Sequence, residues 1–208
     1  MPSIYQLKPI FQNVLRPLVK KLYQLGVTAN QVTLSAMIIS VLLGLFLYLQ
    51  AATSPLIWLL FPVWMLLRMA FNAVDGMLAR EFNQQSKLGA FYNELSDVIS
   101  DSALYLSFLC IAWLSAELLL LMCFLAILSE YAGVMAPLVG AERRYDGPMG
   151  KSDRAFCLSL LAILIYLSSL LPDLHQRMAY LANGLIILII LLLLLTTFNR
   201  IKKSINLP

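Results

Sequence analysis

The 208-residue chain is short of charge, nearly without histidine and without a cysteine framework. Asp, Glu, Lys and Arg supply 12% of its residues, about half the share found in soluble domains. That scarcity excludes disordered chains and ordinary cytosolic enzymes. A single His175 leaves no Ser/His/Asp or Cys/His arrangement to support nucleophilic catalysis. The three cysteines, Cys110, Cys123 and Cys157, each lie inside an apolar run with no CxxC spacing. They match neither a disulfide scaffold nor a zinc site and read as membrane-core filler. What the chain has in excess is apolar surface: 61% of its residues are hydrophobic and the mean hydropathy is +0.82. A water-soluble core cannot absorb that excess, so the sequence describes an all-α, polytopic membrane protein.

Crossing a bilayer takes roughly 20 apolar residues. Six stretches qualify: Val32–Ala51, Leu56–Arg80, Leu88–Leu114, Leu118–Val139, Ala155–Leu171 and Met178–Phe198. Ser54-Pro55, the Glu81–Lys87 link, Glu117, the polar loop 141–154 and Pro172-Asp173 separate them. Basic residues stay on the cytoplasmic side, and thirteen of the 15 Lys and Arg fall on one face of this topology. Both termini are therefore expected in the cytoplasm, with the chain in the inner (cytoplasmic) membrane. The net charge of +4 is then topological and gives no reason to expect nucleic acid. Ahead of the first span, Ile10, Phe11, Val14, Leu15, Leu18 and Leu22 share a helical face, with Arg16 and Lys20 opposite. The expected organisation is an interfacial helix over residues 1–24 and a six-helix transmembrane domain over 25–208.

Ionisable groups inside a span are costly and mark a pathway or a site. Here they cluster in the second and third spans. Asn72, Asp75 and Arg80 close the second, with Arg68 one turn before Asn72. Asn93, Glu94, Asp97 and Asp101 open the third, and Asn93, Asp97 and Asp101 repeat every four residues along one helix side. Asp75 and Asp97 fall about 10 and 13 Å inside the cytoplasmic ends of their helices. Unneutralised carboxylates at that depth must protonate or hold a cation. Oxygen donors of this kind suit Mg²⁺, Mn²⁺ or Ca²⁺ rather than zinc. Beside them lie Gly76, Ala79, Gly89 and Ala90, small residues that permit either close helix packing or a bulky ligand against the backbone. On the second of these readings Arg80 would meet that ligand's phosphates.

The run Asp75-Gly76-Met77-Leu78-Ala79-Arg80, followed by Gly89, Asn93 and Asp97, resembles the signature D-x-x-D-G-x-x-A-R-x8-G-x-x-x-D-x-x-x-D of the CDP-alcohol phosphotransferase family. Thr28-Ala29-Asn30-Gln31-Val32-Thr33 is similar to the TPNxxT stretch that leads into that family's first span. Glu130 is similar to a Glu that phosphatidylglycerophosphate synthases of the family carry in the fourth span. The likeness covers the first four spans. It implies six transmembrane helices, a homodimer in membrane lipid, and an Mg²⁺- or Mn²⁺-dependent transferase. Such an enzyme transfers a phosphatidyl-type group from CDP-diacylglycerol or another CDP-alcohol to an alcohol, releasing CMP.

By the same resemblance Asp75 is a metal ligand, Gly76, Ala79 and Gly89 line the CDP pocket, Arg80 touches the diphosphate, and Asp97 is a metal ligand and the general base. Asn72 and Asn93 stand where the signature has Asp, so two carboxylates are replaced by neutral oxygens. Glu94 and Asp101 lie close enough in helical phase to compensate as ligands. Lys151, Ser152 and Arg154, at the start of the fifth span, are expected either to be topogenic charge or to form an anion site at a helix N-terminus. The second option would suit a phosphorylated acceptor. Two alternatives stand beside the enzyme: a nucleotide-lipid-binding relative without turnover, and a small ion-coupled transporter. A transporter would spread polar groups over the whole bilayer depth, whereas the outer halves of these spans are almost wholly apolar.

Overall fold

The computed structural model describes residues 4–50 and 54–205. The first three residues of the expected interfacial segment, the Ala51 end of the first span, the Ile10 side chain and the last three residues lie outside what is described. Seven α-helices occur among the described residues, and no strand. They are α1 (Ile4–Gln24), α2 (Ala29–Gln50), α3 (Leu60–Glu81), α4 (Lys87–Leu106), α5 (Ala116–Met135), α6 (Lys151–Leu170) and α7 (His175–Ile205). Five stretches built on α2, α3, α5, α6 and α7 are long and apolar enough to cross a membrane. This is an all-α, multi-pass membrane protein. The third expected span, α4, has 20 residues, but Lys87, Glu94, Asp97 and Asp101 keep it out of that apolar class. Its expected end at Leu114 is corrected to Leu106. There the Ser107 hydroxyl donates to the Leu104 carbonyl at 2.6 Å and the chain tightens into a 3₁₀ turn over Ser107–Cys110.

The chain divides into two compact units, one of residues 1–42 and 66–100 and the other of residues 43–65 and 101–208. In the first, local signals set the end of α1, the start of α2, the end of α3 and the start of α4. Gly26, at φ +76°, ends α1 in a left-handed turn closed by Val27 N–H donating to the Leu22 carbonyl. Thr28 and Gln31 then cap α2 reciprocally: Gln31 N–H donates to the Thr28 hydroxyl, and Thr28 N–H to the Gln31 side-chain oxygen. Asn83, at φ 54°, terminates α3 with Gln84 N–H on the Ala79 carbonyl. Ser86 starts α4 by accepting from Gly89 N–H at 2.9 Å.

The core of this unit joins α1 to the ends of α2 and α3. Val19, Ala29, Val32, Val74, Met77 and Leu78 are buried together, flanked by Leu15, Leu22 and Phe82. Tyr23 stacks on Phe82 at 4.2 Å, and Arg16 pairs with Glu81 at 3.0 Å. α1 thus packs within this unit. Its Phe11, Val14 and Leu18 remain exposed.

The second unit is built on α5, α6 and α7, with Leu119, Met122, Leu158, Leu161, Ile186, Ile189 and Leu193 inside. Gly44 lies directly on the Ala103 carbonyl, where a Cβ would collide. Trp58 and Phe61 pack on Phe108 with ring centres 4.9 and 5.0 Å apart. α6 begins four residues before the expected Ala155, because the Asp153 carboxylate caps its first turn by accepting from Gly150 N–H at 3.0 Å. α7 carries the last apolar run on through Arg200 to Ile205. His175, expected in an outer loop, opens α7 with its ring edge on Trp113, 5.5 Å between centres. The polar loop before α6 is strapped to α7: Met149 N–H donates to the Thr196 hydroxyl, Arg200 to the Asp146 carbonyl, and Lys203 to the Asp146 carboxylate.

Candidate functional site

The first unit contains a cleft of about 420 Å³. Its walls are the last turns of α3 and the first turns of α2 and α4, with the 84–86 link across its mouth. The contributing residues repeat at helical spacing. Asp75, Gly76, Ala79 and Arg80 come from α3, Gly89, Ala90, Asn93 and Glu94 from α4, and Asn30 and Thr33 from α2. The polar stripes expected in the second and third spans therefore do share one space, at least for Asp75, Arg80, Asn93 and Glu94.

Asp75 is nearly removed from water, at 6% exposure. Its Oδ2 accepts a hydrogen bond from the Thr33 hydroxyl at 2.7 Å. The signature glycines do something the sequence does not announce. A Cβ at position 76 would stand 2.8 Å from Arg80 Nη2, so Gly76 makes room for a guanidinium folded back along its own helix. A Cβ at position 89 would stand 2.8 Å from Asn30 Oδ1 and 3.0 Å from Ser86 Oγ, so Gly89 leaves space for those two side chains. The link is anchored by the Gln84 side-chain oxygen, which accepts from Ala29 N–H at 2.7 Å.

Asp97 and Asn72 do not line this cleft. The Asp97 side chain is 24% exposed, and its Oδ1 lies 3.4 Å from Nη2 of the buried Arg68, which also donates to the Asp97 carbonyl at 3.2 Å. That contact compensates the buried charge of Arg68. Asp101 belongs to the second unit, where its Oδ2 pairs with Arg154 at 2.9 Å. Arg154 is fully buried there. It also contacts Glu130 at 2.9 Å and donates to the Tyr105 hydroxyl at 3.3 Å. The other Glu130 oxygen faces Arg200 at 3.3 Å and Arg143 at 3.6 Å. Of the trio expected to bind an anion, Arg154 is therefore engaged by two carboxylates. Lys151 and Ser152 stand at the start of α6, half-buried and exposed respectively.

Among the described residues, no three His, Cys, Asp or Glu side chains are placed to hold a metal ion. The donors in the cleft are two carboxylates, Asp75 and Glu94, with the amide oxygen of Asn93. This set fits a hard divalent cation of the Mg²⁺ type, which takes one or two protein carboxylates and completes its shell with substrate phosphate and water. It does not make a closed cage.

Sequence reasoning passed over Thr33, Asn30 and the 84–86 link as parts of the site. The signal was present: a Thr28–Gln31 cap starts α2 at Ala29, which puts Asn30 and Thr33 one turn apart on its first face. The partners of Arg68, Asp101 and Arg154 carried no comparable signal.

The fold corresponds to one class of membrane protein. The chain belongs to the CDP-alcohol phosphatidyltransferase family, whose sequence profile matches residues 26–198. It is 51% identical over 166 residues to the inner membrane protein YnbA of Escherichia coli strain K12, covering 79% of this chain and 82% of that one. An uncharacterised protein of Aquifex aeolicus strain VF5 is 34% identical over 128 residues, 61% of this chain and 62% of the other. In fold the chain is similar to the Mycobacterium tuberculosis phosphatidylinositol phosphate synthase PgsA1 with CDP-DAG bound. The TM-score is 0.73 at 20% identity, covering 92% of this chain and 94% of that one. The same synthase in complex with manganese and citrate also gives 0.73 at 20% identity, with 92% and 89% covered.

Proposed function

We propose that this protein is an integral membrane transferase that moves a phosphatidyl-type group from a CDP-alcohol, such as CDP-diacylglycerol, to an alcohol acceptor, with release of CMP. The observation that carries this reading is the cleft in which Asp75, Gly76, Ala79 and Arg80 share a space with Gly89, Asn93 and Glu94. Arg80, exposed at the end of α3, meets the diphosphate and offsets the charge that builds on it during displacement. Gly76 and Ala79 leave the α3 backbone open to the nucleotide. Asp75, Asn93 and Glu94 would hold Mg²⁺ or Mn²⁺. The metal, when bound, neutralises the diphosphate.

In the transfer step the acceptor oxygen forms a bond to the lipid-linked phosphorus, the bond from that phosphorus to the CMP oxygen breaks, and CMP leaves with the electron pair. Asp97 takes the hydroxyl proton. Arg68, already against the Asp97 carboxylate, orients it for that role. The cytoplasmic orientation of the cleft and both termini, the interfacial placement of α1 through Phe11, Val14 and Leu18, and assembly as a homodimer complete the proposal.

The test is CMP release by the purified protein from CDP-diacylglycerol, against a panel of free and phosphorylated alcohols, with Mg²⁺, Mn²⁺ or EDTA. CMP and CDP-lipid should also raise the thermal midpoint only when the divalent cation is present. Equal stabilisation in EDTA would reject the metal-bridged site. A second reading is favoured by one observation, the neutral Asn72 and Asn93 at two acidic signature positions. A nucleotide-lipid-binding protein without turnover would show metal-dependent stabilisation by CMP and release none from any acceptor.

A further inference from the structure

We infer that Thr33 is a positioning residue for Asp75, its hydroxyl fixing the carboxylate in the orientation that receives a divalent cation. The inference rests on the reading of Asp75 as a metal ligand.

Thr33 stands on the second turn of α2, and its Oγ lies 2.7 Å from Asp75 Oδ2 and 3.1 Å from the Ala29 carbonyl of its own helix. A hydroxyl has one proton to give. The shorter contact has the length of a hydrogen bond to an ionised acceptor, about 2.5–2.7 Å, and the longer one exceeds the usual hydroxyl–oxygen distance. The proton therefore points at Asp75. Threonine has restricted χ1 freedom in a helix and selects rotamers in which its hydroxyl faces the preceding turn. The donor is thus held in place before any ligand arrives.

Three further contacts keep that donor stationary. The Thr28–Gln31 cap fixes the start of α2, and Gln84 ties Ala29 N–H to the link that follows α3. Ala29 itself is buried in the core that also holds Val74 and Met77, on either side of Asp75. A carboxylate at 6% exposure has little water to orient it. A fixed hydroxyl supplies that orientation and restricts the rotation of the carboxylate plane.

The experiment is a titration of the purified full-length protein with Mn²⁺ alone, read by electron paramagnetic resonance and calorimetry, with neither nucleotide nor lipid substrate. Thr33→Val, of equal shape, should weaken Mn²⁺ binding about ten-fold. Thr33→Ser, which keeps the hydroxyl, should stay within about two-fold of the unaltered protein. In an Asp75→Asn background, Thr33→Val should cause no further loss. Should Thr33→Val lose its metal-free helical signal, Thr33→Ala takes its place with the same ten-fold expectation. Unchanged or tighter Mn²⁺ binding in a correctly folded variant would overturn the inference, as would a loss that serine does not restore or one of the same size without Asp75. Tighter binding would mean that the hydroxyl only drains charge from the carboxylate. Failure of the unaltered protein to bind Mn²⁺ would remove the metal site itself. Binding by the unaltered protein that is indifferent to Thr33 would remove only the part assigned to this residue.

Discussion

The two units arrange their charged groups differently, although the first also pairs the buried Arg68 with Asp97. In the first, Asp75, Glu94 and Arg80 line an open cleft beside neutral Asn30 and Asn93. In the second, Asp101 and Glu130 meet Arg154, Arg200 and Arg143 at 2.9–3.6 Å and neutralise most of one another. Asp97 and Asp101 sit one helical turn apart in sequence, yet each has its own arginine. The lesson is that an acidic residue in a membrane helix is evidence for a site only until its partner is known. A carboxylate enclosed by several guanidinium groups, as Glu130 is, serves structure, whereas Asp75 and Glu94 line a cleft and Asp97 meets a single arginine.

The comparison is sharpened first by the proton acceptor. Asp97→Asn should reduce CMP release by about 10²–10⁴-fold, the usual range for loss of a general base, with metal-dependent nucleotide binding retained. Asp101→Asn should act mainly on stability, because it leaves Arg154 with one carboxylate fewer. Reversed effects on turnover would place the chemistry one turn further along α4.

The closed cluster should then break more expensively than the cleft. Glu130→Ala leaves three guanidinium groups around an empty position, and removing one partner of a buried ion pair costs about 3–5 kcal/mol. Asp75→Asn, measured without metal, keeps an oxygen that can accept from Thr33 and should cost less than about 1.5 kcal/mol, the lower end for loss of a hydrogen bond to a charged group. Denaturant unfolding of both variants in one detergent checks the contrast. Comparable losses would show that the cleft residues also hold the fold together.

A smaller effect is expected from restoring charge. Asn93→Asp adds an anionic oxygen to the cleft and should tighten Mn²⁺ binding about ten-fold, since ligand charge count tunes the affinity of oxygen sites. Unchanged affinity by calorimetry would mean that residue 93 points away from the cation.

The smallest effect concerns the loop ahead of α6. A hydrogen bond from Lys203, at 2.7 Å, holds the Asp146 carboxyl below its ordinary range. A carboxylate with a lowered folded value stabilises fully above its unfolded value, near pH 4, and the contribution is lost as pH falls through the lowered one. The strap from this loop to α7 should therefore hold at neutral pH and loosen only below about pH 4. Limited proteolysis within 141–150 reads this, and Asp146→Asn should abolish the acid-dependent step.

Much of this was legible in the residues. The apolar runs are long enough to dictate membrane helices, and the Thr28–Gln31 and Ser86–Gly89 contacts show how local capping chemistry sets the starts of α2 and α4. The family signature was readable because helical periodicity puts residues 75, 76, 79 and 80 on neighbouring faces, and 89, 90, 93 and 94 likewise. Local signals failed at α4, where the hydropathy of 107–114 hides a 3₁₀ turn. They failed again at Arg154, whose position beside a helix start looked open to an anion.

Helix location, membrane class and the α3 and α4 residues that line the cleft follow from short-range chemistry: hydrophobic length, caps, turns and the 3.6-residue repeat. The pairing of Arg154 with Asp101, 53 residues away, and of Thr33 with Asp75, 42 residues away, does not. Periodicity fixes which side of its own helix a residue occupies. It says nothing about the rotation and axial offset of the neighbouring helix, and a hydrogen bond of 2.7 Å depends on both. Those offsets come from packing across the whole unit. Tertiary structure alone therefore decided which charged residues pair with one another and which line the cleft.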